Sequence, residues 1–167
     1  MKTTDDQNEM FIVVDRDDNI VGYKTRAECH KDKSLTHRSI SVVLYNDKGE
    51  ILLQKRSMTK DNWPGYYTVS VSGHVSKNTT VEQAAYREMQ EEIGIQTKLV
   101  YNSKFYIEEP NESEIVTVFT GESNGPFKTH KDEVEYVKFY TAAEADQLRA
   151  KMTSCAVKTL QVLEFIK

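Results

Sequence analysis

Cysteine, proline and glycine are all scarce in this chain of 167 residues, which holds two cysteines, three prolines and seven glycines. Cys29 and Cys155 lie far apart and show neither metal-ligand nor redox spacing, so a disulfide-stapled scaffold and a zinc ribbon are excluded and both read as free thiols. No linker, repeat or low-complexity run breaks the chain. No segment approaches the roughly 20 apolar residues of a membrane span, and the polar start "MKTTDDQNE" does not resemble a signal peptide. Positive charge is not in excess either: 22 Lys and Arg stand against 26 Asp and Glu, for a net charge of −4. That balance leaves no basic footprint for nucleic acid. The expectation is a cytoplasmic protein without a nucleic-acid or membrane partner, monomeric or homodimeric.

What is present is a composition with 38% hydrophobic residues, enough over this length for one core. A single domain over residues 1–167 is expected, with 1–10 as a flexible N-terminal tail. "MFIVV" and "IVGYK" flank the polar turn "DRDDN" as one hairpin, and "SISVVLY" and "ILLQKR" flank "NDKGE" as another. Strand character continues in "YYTVSVSGH", "LVYNSKFYIEE", "EIVTVFTGE" and "VEYVKFY". Two or three helices suffice: one rich in glutamate, a short one from Ala142 to Arg149, and "SCAVKTLQVLEFI". The fold class that follows is α+β, an α/β/α sandwich around a mixed β-sheet.

The acidic helix carries the chemistry. It begins at one of two capping boxes, Thr79 with Glu82 or Thr80 with Gln83, and Gly94 is placed to end it in a left-handed conformation. Val81, Ala84, Ala85, Met89 and Ile93 recur at three- and four-residue steps and give it one apolar face. Glu88, Glu91 and Glu92 are then crowded together, at a repulsive cost of a few tenths of a kcal/mol per pair, about what helix pairs show. A hard divalent cation, Mg2+ or Mn2+, would offset that repulsion.

Gly73, Arg87, Glu88, Met89, Glu91, Glu92, Gly94 and Ile95 have the spacing of the Nudix box, G-x5-E-x7-R-E-U-x-E-E-x-G-U, where U is bulky and aliphatic. The chain resembles that family at eight of nine defined positions. Thr79 stands where the box has a glutamate, which in the family supports the loop by pairing with the arginine at Arg87. The segments "FIVVDRDDNIVGYKTRAECHKDKSLTHRSISVVLYNDKGEILLQKR" and "QKRSMTKDNWPGYYTVSVSGH" further resemble the isopentenyl-diphosphate isomerase branch. The resemblance runs from about Phe11 to Phe139.

The resemblance implies the Nudix-type sandwich and a set of site residues. His30, His37 and His74, with Glu112 and Glu114, match metal ligands of that branch, and Arg26, Arg56 and Lys60 match its diphosphate-gripping cations. Imidazole suits Mn2+ or Zn2+ and carboxylate suits Mg2+ or Mn2+, so both groups are chemically sensible. Gly73 joins the substrate loop, and Arg87, Glu88, Glu91 and Glu92 form the catalytic set, with the three glutamates also holding metal. The attacking water's base is Glu91, Glu133 or Glu112. Trp63 and Tyr66 stack on a base, line an isoprenoid pocket, or simply support the Pro-Gly turn between them.

Two departures separate isomerase from hydrolase. The branch's isomerases carry an essential cysteine where this chain has Ser72, and protonating an alkene needs an acid of tuned pKa that a serine does not supply. They also place a C-terminal tryptophan against a carbocation, whereas the only tryptophan here is Trp63. Those isomerases typically keep only the glutamate corresponding to Glu92, and this chain has all three. The expected activity is therefore hydrolysis of a small-molecule diphosphate of the nucleoside-diphosphate type, with isomerisation of isopentenyl diphosphate as the alternative.

Overall fold

A computed structural model of the chain describes residues 3–167. Nine strands form one mixed, curled sheet: β1 Met10–Val14, β2 Ile20–Thr25, β3 His37–Tyr45, β4 Ile51–Arg56, β5 Tyr67–Thr68, β6 Val71–His74, β7 Val100–Glu108, β8 Ser113–Glu122 and β9 Val134–Tyr140. Both expected hairpins form, β1 with β2 and β3 with β4. The central strand β3 pairs antiparallel with β6 and runs parallel to β8 along its whole length, from His37 opposite Glu114 to Tyr45 opposite Glu122.

Four α-helices occur among the described residues: α1 Arg26–Cys29, α2 Val81–Ile93, α3 Ala142–Gln147 and α4 Ser154–Val162, with a 3-10 turn at Arg149–Lys151. The acidic helix is α2, and of its two capping boxes the one at Thr80 forms, its hydroxyl accepting from the Gln83 N–H. Thr79 turns away and donates to the Ser76 carbonyl at 2.6 Å. Gly94 ends the helix at φ 66°, ψ 26°, the left-handed region.

Alternation along β3 divides the core into two layers. Ile40, Val42 and Leu44 join Ala84, Ala85, Met89 and Ile93 of α2 on one face. Val43, with Ile51, Leu53 and Val69, meets Ala145, Ala156 and Leu160 of α3 and α4 on the other. Fully burying a Val, Leu, Ile or Met side chain contributes about 1.5–3 kcal/mol, so both layers hold the sheet against its helices.

Four expectations need correction. The four-residue α1 was not anticipated, because it is too short for apolar periodicity. The stretch read as one strand, "YYTVSVSGH", is two, because Ser70 turns its hydroxyl inward to donate to the Leu52 carbonyl and accept from the Leu44 N–H. The last two helices stop early, at Gln147 and Val162. Residues 3–9 are not a loose tail: Thr4 N–H donates to the Thr59 carbonyl, Glu9 carbonyl accepts from Arg26 N–H, and Asp5 is buried.

Candidate active site

A cavity of about 490 Å³ opens at the end of the sheet where β3, β6 and β8 lie side by side. Side chains reach it from the N-terminal segment, α1, the loop after β4, α2, the turn before β8, and the start of α4. Its size is that of a small-molecule site.

On one wall, three histidines from three elements converge. His30 caps α1, His37 opens β3 and His74 ends β6. The parallel register of β3 with β8 brings Glu114 opposite His37, with Glu112 two residues earlier on the same side. His30 Nε2 lies 2.9 Å and His37 Nε2 3.4 Å from Glu112 Oε2, and His74 Nε2 is 3.4 Å from Glu114 Oε1. One ligand atom from each of His30, His37, His74 and Glu112 fits within a mutual 4.8 Å. His30 Nε2, His37 Nε2 and Glu112 Oε2 are buried without a hydrogen bond of acceptable geometry, although they face one another. Three imidazoles with one or two carboxylates form a donor set that fits a divalent transition cation.

The surroundings orient these rings. His37 Nδ1 faces the Leu35 carbonyl at 3.4 Å, which directs Nε2 toward the carboxylates. Phe11, fully buried in β1, stacks on His37 and His74 with centroids 5.1 and 4.3 Å away. Burial alone would lower the His37 pKa, yet Cys29, Glu112 and Glu114 raise it to about 10. Burial likewise opposes ionisation of Glu112, but the three histidines hold its carboxyl well below the usual range. Burial works against the His30 pKa as well, yet its carboxylate partners Asp61 and Glu112 outweigh it and raise the value.

The α2 glutamates divide between two environments. Glu88 and Glu91 line the cavity. Glu92 lies behind it, buried, accepting from Gln54 Nε2 at 3.2 Å and from Ser72 N–H at 3.1 Å. Of the three glutamates expected to hold one or more Mg2+ or Mn2+ ions, Glu88 and Glu91 thus face the cavity, and with helical spacing the next residue, Glu92, turns toward the core. Burial raises the Glu88 pKa to about 7, with Arg87 opposing and Glu91 and Glu133 adding to the shift. Burial and the Glu88 charge push Glu92 well above its usual value. Arg87 Nη2 donates to Glu88 Oε1 at 2.9 Å and to the His74 carbonyl at 3.2 Å, which ties α2 to the loop without a glutamate at Thr79.

The cations line the same cavity, each already partnered, with Arg26 Nη2 3.4 Å from His74 Nδ1. Arg26 is buried among Asp5, Glu9 and Asp61, with its guanidinium over Phe11. Lys60 bridges Asp5 and Glu133. Arg56 donates to the Asn62 carbonyl at 2.9 Å, and Asn62 Nδ2 in turn donates to Glu112 Oε1 at 2.8 Å. This bond links the cations to the histidine cluster. Trp63 lines the cavity and packs edge-on against Tyr66, which is partly exposed.

Reading the sequence missed Asp5, Phe11, Ser39, Asp61, Asn62 and Cys155, all at or beside the cavity. Only Asn62 had a local signal, as a polar residue inside the resembling segment "KDNWPG". The others depend on contacts across the fold.

A sequence profile of the NUDIX domain matches residues 35–163. The human isopentenyl-diphosphate delta-isomerase 2 is 44% identical over 100 residues, a match taking in 52% of this chain and 44% of that protein. The chain thus spans less than half the length of that relative. An uncharacterized Nudix hydrolase of Listeria monocytogenes is 35% identical over 116 residues, 68% of this chain and 69% of its own. Among solved structures, DR0079 from Deinococcus radiodurans superposes with a TM-score of 0.78 at 21% identity, covering 94% of this chain and 99% of that one. No helix among the described residues is long and apolar enough to cross a membrane.

Proposed function

Because the chain belongs to the NUDIX domain family, and so to a family of enzymes that use divalent metal, we propose that it hydrolyses a diphosphate linkage in a small-molecule substrate of the nucleoside-diphosphate type. One observation carries this reading: His30, His74, Glu112 and Glu114 of the histidine cluster, Glu88 and Glu91, and the cations Arg26, Arg56 and Lys60 all line a single cavity, with His37 buried beside it. A diphosphate needs both kinds of group, anionic donors for its metal and cations for its distal phosphate.

Mg2+ or Mn2+ held by Glu88, and Mn2+ or Zn2+ by His30, His37, His74, Glu112 and Glu114, would neutralise charge on the phosphoryl oxygens. Arg56 and Lys60 bind the distal phosphate, the carboxylates now on Lys60 giving way to it, and Arg26 is fixed beside them. Glu91 accepts the proton of the attacking water. Among the described residues it lines the cavity with no ion-pair partner, whereas Glu133 is engaged by Lys60 and Glu112 by the histidines. Water oxygen bonds to phosphorus, the bridging P–O bond breaks, and the released phosphate carries the electron pair. Glu92 acts from behind by holding the Ser72 N–H and thereby the Gly73 loop.

The similarity to isopentenyl-diphosphate isomerases favours a second reading, isomerisation of isopentenyl diphosphate. Against it, the cavity presents Ser72 and, from α4, Cys155, with no aromatic side chain from α4. The test is phosphate release from diphosphates with Mg2+ or Mn2+, followed beside isopentenyl diphosphate isomerisation, for the wild type and Glu91→Gln. Hydrolysis that falls about 100-fold or more in the variant, the usual worth of a general base, supports the proposal. Isomerisation without release would replace it with the second reading.

A further inference from the structure

We infer that Asn62, with Asp61 beside it, is a positioning residue that couples the grip on the distal phosphate to the grip on the metal. The loop after β4 makes a cation at the histidine cluster bind more tightly when the Arg56 guanidinium is held in place, and the reverse. This rests on the reading of the cavity as a metal-dependent diphosphate site and names how its two halves act together.

The geometry holds two parallel links. The Asn62 carbonyl accepts from Arg56 Nε at 3.2 Å and from Arg56 Nη2 at 2.9 Å, while its side-chain Nδ2 donates to Glu112 Oε1 at 2.8 Å. One residue thus holds a phosphate-binding cation through its backbone and a metal ligand through its side chain. Asp61 repeats the pattern, with Oδ2 3.6 Å from Arg26 Nη1 and 3.5 Å from His30 Nδ1. A cation on His30 Nε2 leaves the ring hydrogen on Nδ1, and Asp61 is the acceptor that fixes that tautomer and the direction of the ring. Asn62 Nδ2, 3.3 Å from the same nitrogen, is then left to Glu112. By taking Oε1 it keeps Glu112 Oε2 directed at His30 and His37.

The loop is built to pass a displacement on. Arg56 N–H closes it by donating to the Tyr66 carbonyl at 2.9 Å. Within it Trp63 sits at φ 52°, a left-handed conformation that a side chain this large keeps only where its surroundings over-determine it. The two bonds from Arg56 to the preceding carbonyl do so. Arg56 has five N–H groups, of which two are spent on Asn62, so three stay free for a phosphate that need not break the link. A phosphate there fixes the guanidinium, hence the Asn62 peptide, hence the amide on Glu112. A cation on Glu112 fixes the same chain from its other end, and the gain is equal in both directions.

The test needs no substrate. Zn2+ affinity of the metal-free full chain is measured by competition with a colour-forming chelator, and loss of the tight site in His37→Ala assigns that site to the cluster. Asn62→Ala should bind Zn2+ about tenfold or more weakly, the usual effect of removing a group that orients a metal ligand. Asn62→Gln, which keeps the amide donor, should recover part of the loss. Arg56→Lys keeps the positive charge but not the forked hold on the carbonyl. It should weaken Zn2+ at least about twofold, the low end of couplings within one hydrogen-bond network, although its guanidinium reaches the cluster through Asn62. In the double variant Arg56→Lys/Asn62→Ala that second loss should vanish, because the side chain that transmits it is gone. Should Asn62→Ala not fold, Asn62→Leu, which also lacks a donor, closes the same cycle. No tight Zn2+ site in the wild type, an unchanged affinity in Asn62→Ala or Arg56→Lys, or losses that simply add in the double variant overturns the coupling. A failure to release phosphate from any diphosphate would sink the hydrolase reading instead, and would leave these affinities as they are.

Discussion

Gly73 has no side chain because the Glu88 carboxylate occupies the place where one would be: a Cβ there would come within 2.5 Å of Glu88 Cδ. The glycine of the box is thus a packing requirement of the glutamate on the facing helix. Gly73→Ala should fold, since Glu88 can swing toward solvent, but should displace the carboxylate by an ångström or more. Turnover should drop about 100-fold, as misplacements of that size do, while far-UV circular dichroism stays unchanged. Full activity in that variant would remove Glu88 from the reaction. At this scale the residues with chemistry of their own were readable: His30, His37, His74, Glu88, Glu91, Glu112 and Glu114 appear in the sequence at spacings that resemble a known family. Asp5, Phe11 and Ser39 were not, because an aspartate in a polar start, an aromatic in a strand and a serine between an arginine and an isoleucine gain their meaning only from what lies opposite.

At the scale of elements, the sequence offered two equivalent starts for α2, Thr79 with Glu82 and Thr80 with Gln83. Both satisfy the same local pattern, and the Ser76 carbonyl decides between them by taking the Thr79 hydroxyl. Thr80→Ala should therefore cost about 1 kcal/mol of stability, the usual worth of an N-cap, and Thr79→Ala clearly less. Chemical denaturation of the two variants measures this, and the reverse order would mean that the helix begins one residue earlier. The same logic explains what else was legible. Strands β1 to β4 and β7 to β9 and the three longer helices follow from period and turn chemistry. The break between β5 and β6 does not, since Ser70 fits the alternation and departs from it only by bonding to Leu44 and Leu52. The box "TRAE" did mark α1, through Thr25 and Glu28, but four residues carry no period to support it.

At the scale of the whole molecule, the site exists because the sheet brings a hairpin, a central strand and a parallel partner together. No local pattern in the sequence sets the β3–β8 register that places Glu114 opposite His37. That convergence of charge has a measurable consequence. His37, facing Cys29, Glu112 and Glu114, has its pKa raised from 6.5 to about 10. A raised basic group contributes stability that is complete below 6.5 and is lost as pH climbs through 10. Glu88, facing Arg87, Glu91 and Glu133, is raised from 4.5 to about 7, so the folded state resists its ionisation and loses stability between those values. Both groups make the metal-free fold bind more protons than the unfolded chain, and both therefore act in the same direction. The depressed carboxyls Asp61 and Glu112, held down by His30 and its neighbours against the effect of burial, act oppositely, but only as pH falls below about 4, their ordinary range. The metal-free protein should then be most stable near pH 5, and its Tm should fall steadily toward pH 9. Mn2+ takes the place of those protons, so its binding releases them and its stabilisation should be larger at pH 8 than at pH 5.5. Scanning calorimetry with EDTA and with Mn2+ at the two pH values tests this. A flat metal-free profile, or an equal gain from Mn2+ at both, would show that the histidines and Glu88 do not share the protons and the cation.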